Sequence, residues 1–279
     1  MNIELPILYI NERYKILQER IKGSDYVTPD PILRTYRFCN VLREDDRVTK
    51  ALRATWMKPE DNHDDLPLVA LLARRLNRDF TFFNMDRPTC WDSDYLLRQI
   101  LEGEKNYGNK FNHNRAYQFV SKKGMTCHET TCFMIQQARE LIVPRTTLAE
   151  ASKELQKVWG VSTFMSAQIV ADLKHTKYLD TASDWRDWAA IGPGSRRGLN
   201  LLYGNPAEDM SNDKNFIPRL LRVREKVEPH INKEVPKMCL QDWQGVLCEV
   251  DKYHRFSQAG YMTTRHKLKY YPDANPELA

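Results

Sequence analysis

Two helix patterns separated by a glycine-containing turn occupy residues 147–173, and they constrain the fold more than any other feature. Thr147-Leu148-Ala149-Glu150 has the form of a capping box, in which a threonine and a glutamate satisfy the first amides of a helix. Apolar residues recur at helical spacing until Gly160, and a second apolar stripe runs from Met165 to Leu173. The sequence therefore predicts a helical hairpin.

The rest of the chain carries the same kind of pattern. Apolar residues recur at helical spacing over 5–22, 67–76, 92–104 and 127–141, and no run alternates as a strand does. Glycine is scarce, with 11 among 279 residues, which also favours helices. We expect an all-α fold of two helical lobes with a cleft between them. The expected N-terminal lobe is 1–145, and the hairpin lobe with the C-terminal helices is 146–279.

Composition excludes several classes of protein. No segment approaches the roughly 18 apolar residues of a membrane helix, and the N-terminus lacks the basic start of a signal peptide. The six cysteines are scattered, as in a reduced cytoplasmic protein, and Cys127–Cys132 lacks a second pair at zinc-site spacing. No phosphate-binding Gly-x-x-x-x-Gly-Lys-Ser/Thr motif occurs. We predict no membrane association and no metal site, and the net charge of +5 is compatible with nucleic acid.

The hairpin turn has a chemistry of its own. A turn followed at once by a helix start presents backbone N–H groups and a partial positive charge, which together bind phosphate. Gly160, Ser162 and Thr163 are the residues predicted to contact the phosphate. A plain corner between two helices is the alternative.

Two further anion-related features follow within forty residues. Leu179–Trp185 contains the carboxylates of Asp180 and Asp184, and Gly192–Gly198 combines glycines with two arginines. Exposed amides and fixed positive charge bind a phosphate or pyrophosphate. The predicted anion-binding residues are Gly194, Ser195, Arg196 and Arg197. A tight loop with a surface arginine pair is the alternative.

The hairpin resembles that of the helix-hairpin-helix DNA glycosylase superfamily, from Gly160-Val161-Ser162 through Ala167, Ile169 and Leu173. In that superfamily the hairpin holds the DNA backbone and a following aspartate faces the extruded nucleotide. Ser162 stands where a second glycine is common, and the aspartate is either Asp180 or Asp184.

A closer resemblance covers most of the chain. Separated blocks in one order are similar to the phage alpha-glutamyl/putrescinyl-thymine pyrophosphorylases, also called amino acid:DNA transferases. A similar helical domain accompanies the 5-hydroxymethyluracil DNA kinases. Leu42 departs from the family, which more often has an aromatic or polar residue there. The blocks are Thr28–Leu33, Tyr36–Thr49, Ala73–Asn77, Ala167–Leu173, Gly192–Gly198 and Leu247–Tyr253.

The resemblance implies a reaction on double-stranded DNA in the cytoplasm of an infected bacterium. An amino acid or polyamine displaces pyrophosphate from 5-pyrophosphoryloxymethyluracil after the base is flipped out of the stack. The first-choice catalytic carboxylate is Asp184 and the second is Asp180, with Gly194–Arg197 holding pyrophosphate. No cofactor is expected, and a need for a divalent metal stays open.

The polar residues of the N-terminal blocks are predicted to recognise the base or the amine, because several read as one face of a single helix. A buried network of salt bridges is the alternative. The predicted recognition residues are Arg37, Asn40, Arg43, Asp45, Asp46, Arg74 and Asn77.

Two other functions compete with the transferase. A hydrolytic DNA glycosylase uses the same hairpin and aspartate with water as nucleophile. A non-catalytic DNA-binding partner of a 5-hydroxymethyluracil DNA kinase binds DNA tightly and does not need Asp184.

Overall fold

A computed structural model describes residues 1–111 and 121–258 of the chain. Within these residues the fold is all-helical, as predicted, with twelve α-helices and no strand. None of these helices is long and apolar enough to cross a membrane. The helices are α1 (Glu4–Ile21), α2 (Pro31–Thr35), α3 (Arg47–Thr55), α4 (Leu66–Leu76), α5 (Asp79–Asn84), α6 (Ser93–Tyr107), α7 (Cys127–Arg139), α8 (Leu148–Leu155), α9 (Thr163–Leu173), α10 (Pro193–Tyr203), α11 (Phe216–Val227) and α12 (Leu240–Ser257).

The chain groups into two compact units. The first consists of Met1–Arg43 together with Ile191–Ala279, and the second is the continuous stretch Glu44–Ala190. The boundary expected between residues 145 and 146 lies inside the second unit, because the hairpin helix α9 packs against α4 and α8.

Helix α4 forms the centre of the second unit. All eleven of its residues are buried, because α7 and α9 both pack against it. A helix that is covered on all sides needs apolar residues on every face, and Leu66-Pro67-Leu68-Val69-Ala70-Leu71-Leu72-Ala73 supplies them. Asn77 ends the helix in the left-handed conformation, with φ of 46°.

The first unit is built around the pair of α10 and α12. Gly198 of α10 lies directly against the backbone of Leu247 in α12, so the two helices approach closely. Helices α1 and α2 also pack on α12, and the ring of Tyr36 stacks on Phe256 with centroids 4.1 Å apart. The glycine therefore sets the spacing of this core.

The single helix predicted through Arg37, Asn40, Arg43 and Asp46 is wrong. Helix α2 ends at Thr35, the chain continues in extended conformation, and a short 3-10 turn at residues 43–45 precedes α3. Asp30 caps the start of α2 and Asp46 caps the start of α3, so this stretch contains two helix starts and not one.

Candidate functional site

The predicted helical hairpin is present as α8 and α9. The hydroxyl of Thr147 accepts the amide of Glu150 at 3.0 Å and so starts α8. Gly160 turns the chain with φ of +80°, a conformation that favours glycine. The Ser162 hydroxyl then accepts the amide of Met165 at 3.4 Å and starts α9. Local capping chemistry therefore builds the hairpin, as the sequence indicates.

The tip of the hairpin faces solvent while its base is fixed. Gly160, Ser162 and Thr163 are all exposed. The hydroxyls of Ser152 and Ser166 lie 2.8 Å apart in the buried contact between α8 and α9. An exposed helix start on a fixed support has the properties of a phosphate site. Its contact with DNA stays a prediction.

The structure gives Asp184 a role in holding the hairpin. Its two carboxylate oxygens accept the backbone amides of Leu148 at 2.6 Å and Ala149 at 3.0 Å, at the start of α8. A carboxylate at a helix start also opposes the helix dipole favourably. Both oxygens are thus engaged in a structural contact, and a catalytic role for Asp184 has no support from this geometry.

Replacing Asp184 with alanine is expected to lower the free energy of unfolding by about 1–2 kcal/mol, because two helix-start amides lose their acceptor. Urea unfolding measures the loss, and Asp184→Asn tests whether the amide oxygen retains part of it. A change near zero in Asp184→Ala would contradict the capping role.

Asp180, the second-choice carboxylate, lines an open cavity of about 450 Å³. The other lining residues include Trp185, Arg186 and Asp187. Asp180 also accepts a hydrogen bond from Lys177 at 2.8 Å on the surface. Of the two aspartates left open by the sequence, Asp180 is the one beside a space that a ligand can enter.

The predicted anion-binding residues lie in the first turns of α10, not in a loop, and are occupied by contacts within the protein. Ser195 is fully buried. Its hydroxyl accepts the amide of Gly192 and donates to the carbonyl of the same residue, at the start of α10. A side chain on Gly194 would overlap the sulfur of Cys248, so this glycine serves helix packing. Burial raises the pKa of the Cys248 thiol to about 11, which keeps it neutral in this contact.

Both arginines of this part of α10 form ion pairs with carboxylates. Arg196 donates two hydrogen bonds to Asp213, at 2.7 and 2.6 Å, which raise the pKa of its guanidinium. Arg197 donates to Asp251 at 3.0 Å and lies 3.5 Å from Glu208. Binding of pyrophosphate here requires an exchange of partners, so the clamp stays a prediction.

The N-terminal residues predicted to recognise base or amine are dispersed. Arg37 is exposed, and Asn40 accepts a hydrogen bond from Arg13 at 2.5 Å. The amide of Arg43 donates to Asp242 at 3.2 Å. Asp45 lies 3.4 Å from Lys50, and Asp46 accepts the amide of Thr49 at 3.0 Å. These residues therefore do not share one helix.

Arg74 and Asn77 belong to a buried network in the second unit. Arg74 forms a two-point ion pair with Asp172 of α9, and both side chains are only 2% exposed. The same guanidinium donates to Asn77 at 3.1 Å and to Thr49 at 3.3 Å. These contacts give Arg74 a structural role between α4 and α9, and its role in recognition stays a prediction.

Comparison with known proteins places the chain in a family. The family described as "5-hmdU DNA kinase, helical domain" matches residues 3–262. The chain belongs to the family of this helical domain.

One curated relative is a protein of Bacillus phage SP10 named 5-hmdU DNA kinase, which is 25% identical over 299 aligned residues. The alignment covers 92% of this chain and 46% of the relative, so the chain spans about half the relative's length. No solved structure matches the chain significantly.

The helical domain also contains a cluster that sequence analysis missed. Nε2 of His175 lies 2.8 Å from Glu44, which also pairs with Arg53. The His175 ring meets Trp185 edge to face at 5.2 Å, and Trp185 lines the cavity beside Asp180.

Glu44 and His175 are 131 positions apart in the sequence, so no local pattern predicts that they pair. Trp185, ten positions after His175, is the contact of this histidine that lies near it in the sequence. Within residues 1–111 and 121–258, no group of three or more His, Cys, Asp or Glu side chains is arranged to hold a metal ion.

Proposed function

We propose that this helical domain binds DNA through the tip of its hairpin and acts on 5-hydroxymethyluracil-derived bases. The observation that carries the proposal is the exposed, capped start of α9 in a member of the 5-hmdU DNA kinase helical-domain family. The relative's name specifies DNA containing 5-hydroxymethyluracil as what that protein acts on. Exposed amides at a helix start suit the DNA backbone.

The finer proposal is a transfer reaction at the activated base. The C–O bond between the base methylene and pyrophosphate breaks, and pyrophosphate leaves with the electron pair. A C–N bond forms to the amine of an amino acid or polyamine, and the nitrogen loses one proton. Asp180 is the proposed proton acceptor, because this residue lines the open cavity, whereas Asp184 is committed to the start of α8.

The test uses purified protein and DNA carrying 5-pyrophosphoryloxymethyluracil, with a pool of amino acids and polyamines. Nucleosides from digested DNA are analysed by mass spectrometry, and released pyrophosphate is measured. A new base mass with equal pyrophosphate supports transfer. Abasic sites identify a glycosylase instead. Bound but unaltered DNA overturns the transferase and favours the non-catalytic partner.

A parallel reaction tests kinase activity, with ATP and DNA carrying 5-hydroxymethyluracil. The chain lacks the common phosphate-binding loop, so we expect no transfer of the terminal phosphate to this DNA. Such a transfer would overturn the proposed chemistry.

Asp180→Asn is expected to slow amine transfer by about 10²-fold or more while DNA affinity stays unchanged, because only the proton acceptor is lost. The matched control is Glu154→Gln, which alters another surface carboxylate paired with a lysine three positions away, at 2.7 Å. Single-turnover rates separate the two variants. Equal rates in Asp180→Asn and Glu154→Gln would contradict the assignment.

Thr163→Glu is expected to weaken DNA binding by about tenfold at low salt, because a carboxylate at the first position of α9 repels phosphate. The fold tolerates this change, since acidic residues at a helix start are stabilising. Ser93→Glu makes the same change at the first position of α6 and is the control. Fluorescence anisotropy with labelled duplex DNA measures both variants. Equal affinities would place the DNA elsewhere.

A further inference from the structure

A second cavity lies in the first unit, at the segment that connects α11 to α12. Its volume is about 500 Å³, and it is formed by the segment 228–238 together with the side chain of Trp243 in α12. Apolar side chains make up half of the lining: Pro229, Ile231, Val235, Pro236 and Met238. The cavity shares no residue with the hairpin, with the Asp180 cavity or with the Gly192–Gly198 loop.

The segment that forms this cavity is fixed at both ends. The side chain of Asn11 in α1 donates to the carbonyl of His230 at 3.2 Å and accepts the amide of Asn232 at 2.8 Å. At the other end, the amide of Cys239 donates to Asp242 at 2.9 Å. The cavity is therefore a supported feature of the fold and not the inside of a loose loop.

Trp243 is a lining residue that carries a hydrogen-bond donor without an acceptor among the described residues. None of its surface is exposed to solvent, although it contributes to the lining. Its indole Nε1 has no hydrogen-bond partner among residues 1–111 and 121–258. A buried N–H without an acceptor is unfavourable, and most native structures pair such groups. The missing partner is an acceptor, so a ligand here brings an oxygen.

The charges around the cavity define the ligand further. Lys233 and Lys237 line it, and both are exposed, whereas Glu228 is the one carboxylate of the lining. Two ammonium groups against one carboxylate favour a monoanion over a dianion such as a phosphate monoester. The apolar walls favour a carbon chain behind the charged group.

We propose that this cavity binds a small organic carboxylate. One carboxylate oxygen accepts the Trp243 indole N–H, the ammonium groups of Lys233 and Lys237 neutralise the charge, and the carbon chain contacts Ile231 and Val235. The proposal rests on this cavity alone, so it is independent of the amine-transfer reaction and is tested without DNA.

The test follows indole N–H signals in ¹⁵N–¹H correlation spectra of the whole chain. The chain has six tryptophans, and the signal missing from Trp243→Phe identifies Trp243. Butanoate is the probe, butanamide is its neutral counterpart, and inorganic phosphate tests for a general anion site. We expect butanoate to move the Trp243 proton downfield in a saturable manner, and the other two compounds to leave it in place.

The lysines provide variants that do not disturb the core. Lys233→Gln combined with Lys237→Gln is expected to weaken butanoate binding by about tenfold or more, because the charge-assisted contacts are lost. Lys226→Gln, an exposed change on α11 outside the lining, is the control and is expected to bind like the unaltered chain. A Trp243 signal that does not respond to butanoate, or responds equally to butanamide, would overturn the proposal. A response to phosphate alone would also overturn it.

Discussion

Replacing Gly198 with alanine is expected to destabilise the first unit by about 3 kcal/mol or more. A Cβ atom at this position would lie 2.8 Å from the carbonyl carbon and 3.2 Å from the Cα of Leu247, and closer still to the carbonyl oxygen. These are backbone atoms of α12, so no side-chain rotation relieves the overlap. Helices α10 and α12 must move apart, which opens the core between them. The midpoint of urea unfolding, followed by circular dichroism, measures the loss.

The control for this prediction lies on the partner helix. Gly245 of α12 has no atom within 4 Å of the position of a Cβ, and its backbone is helical. Gly245→Ala is therefore expected to raise the free energy of unfolding by about 0.5–1 kcal/mol, through the lower entropy of the unfolded chain. A similar small effect from Gly198→Ala would show that α10 and α12 are not in backbone contact.

The contact of Gly198 also gives the Gly192–Gly198 motif a structural use that sequence analysis did not predict. Glycines near arginines are typical of an anion site. Glycines four positions apart on a helix are also typical of close packing between helices. Gly194 and Gly198 face Cys248 and Leu247 of α12. These contacts lie about fifty positions away in the sequence, so the local pattern does not distinguish the two uses.

Features set by local chemistry were predictable from the sequence. The hairpin follows from Thr147, Gly160 and Ser162, whose caps and positive φ act within three or four residues. The all-helical fold follows from apolar spacing in the same way. The break after Thr35 was missed because apolar spacing continues through it, although Asp30 and Asp46 are good helix caps.

Features set by distant residues were not predictable. Asp180 and Asp184 stand four positions apart and look equivalent in the sequence, yet one lines a cavity and the other caps α8, thirty-five positions earlier. The pairing of His175 with Glu44 depends on the packing of the whole second unit. Candidate residue types were visible in the sequence, but their assignment to site or scaffold required tertiary contacts.

Asp172→Ala is expected to lower the free energy of unfolding by about 3–5 kcal/mol, because it leaves the buried guanidinium of Arg74 without its carboxylate. The cost is that of an uncompensated charge rather than of the lost contact. Glu154→Ala, which breaks the exposed pair with Lys157, is expected to cost less than about 1 kcal/mol.

A double variant separates the charge penalty from the loss of packing. Arg74→Met combined with Asp172→Leu removes both charges and keeps apolar volume, so it is expected to recover most of the stability that Asp172→Ala loses. Recovery will be incomplete, because Asn77 and Thr49 also bond Arg74 and lose their donor. If the double variant is as unstable as Asp172→Ala, geometry rather than charge holds α4 to α9. If Asp172→Ala costs less than 1 kcal/mol, the pair is not buried in solution, and the rigid support proposed for the hairpin is lost with it.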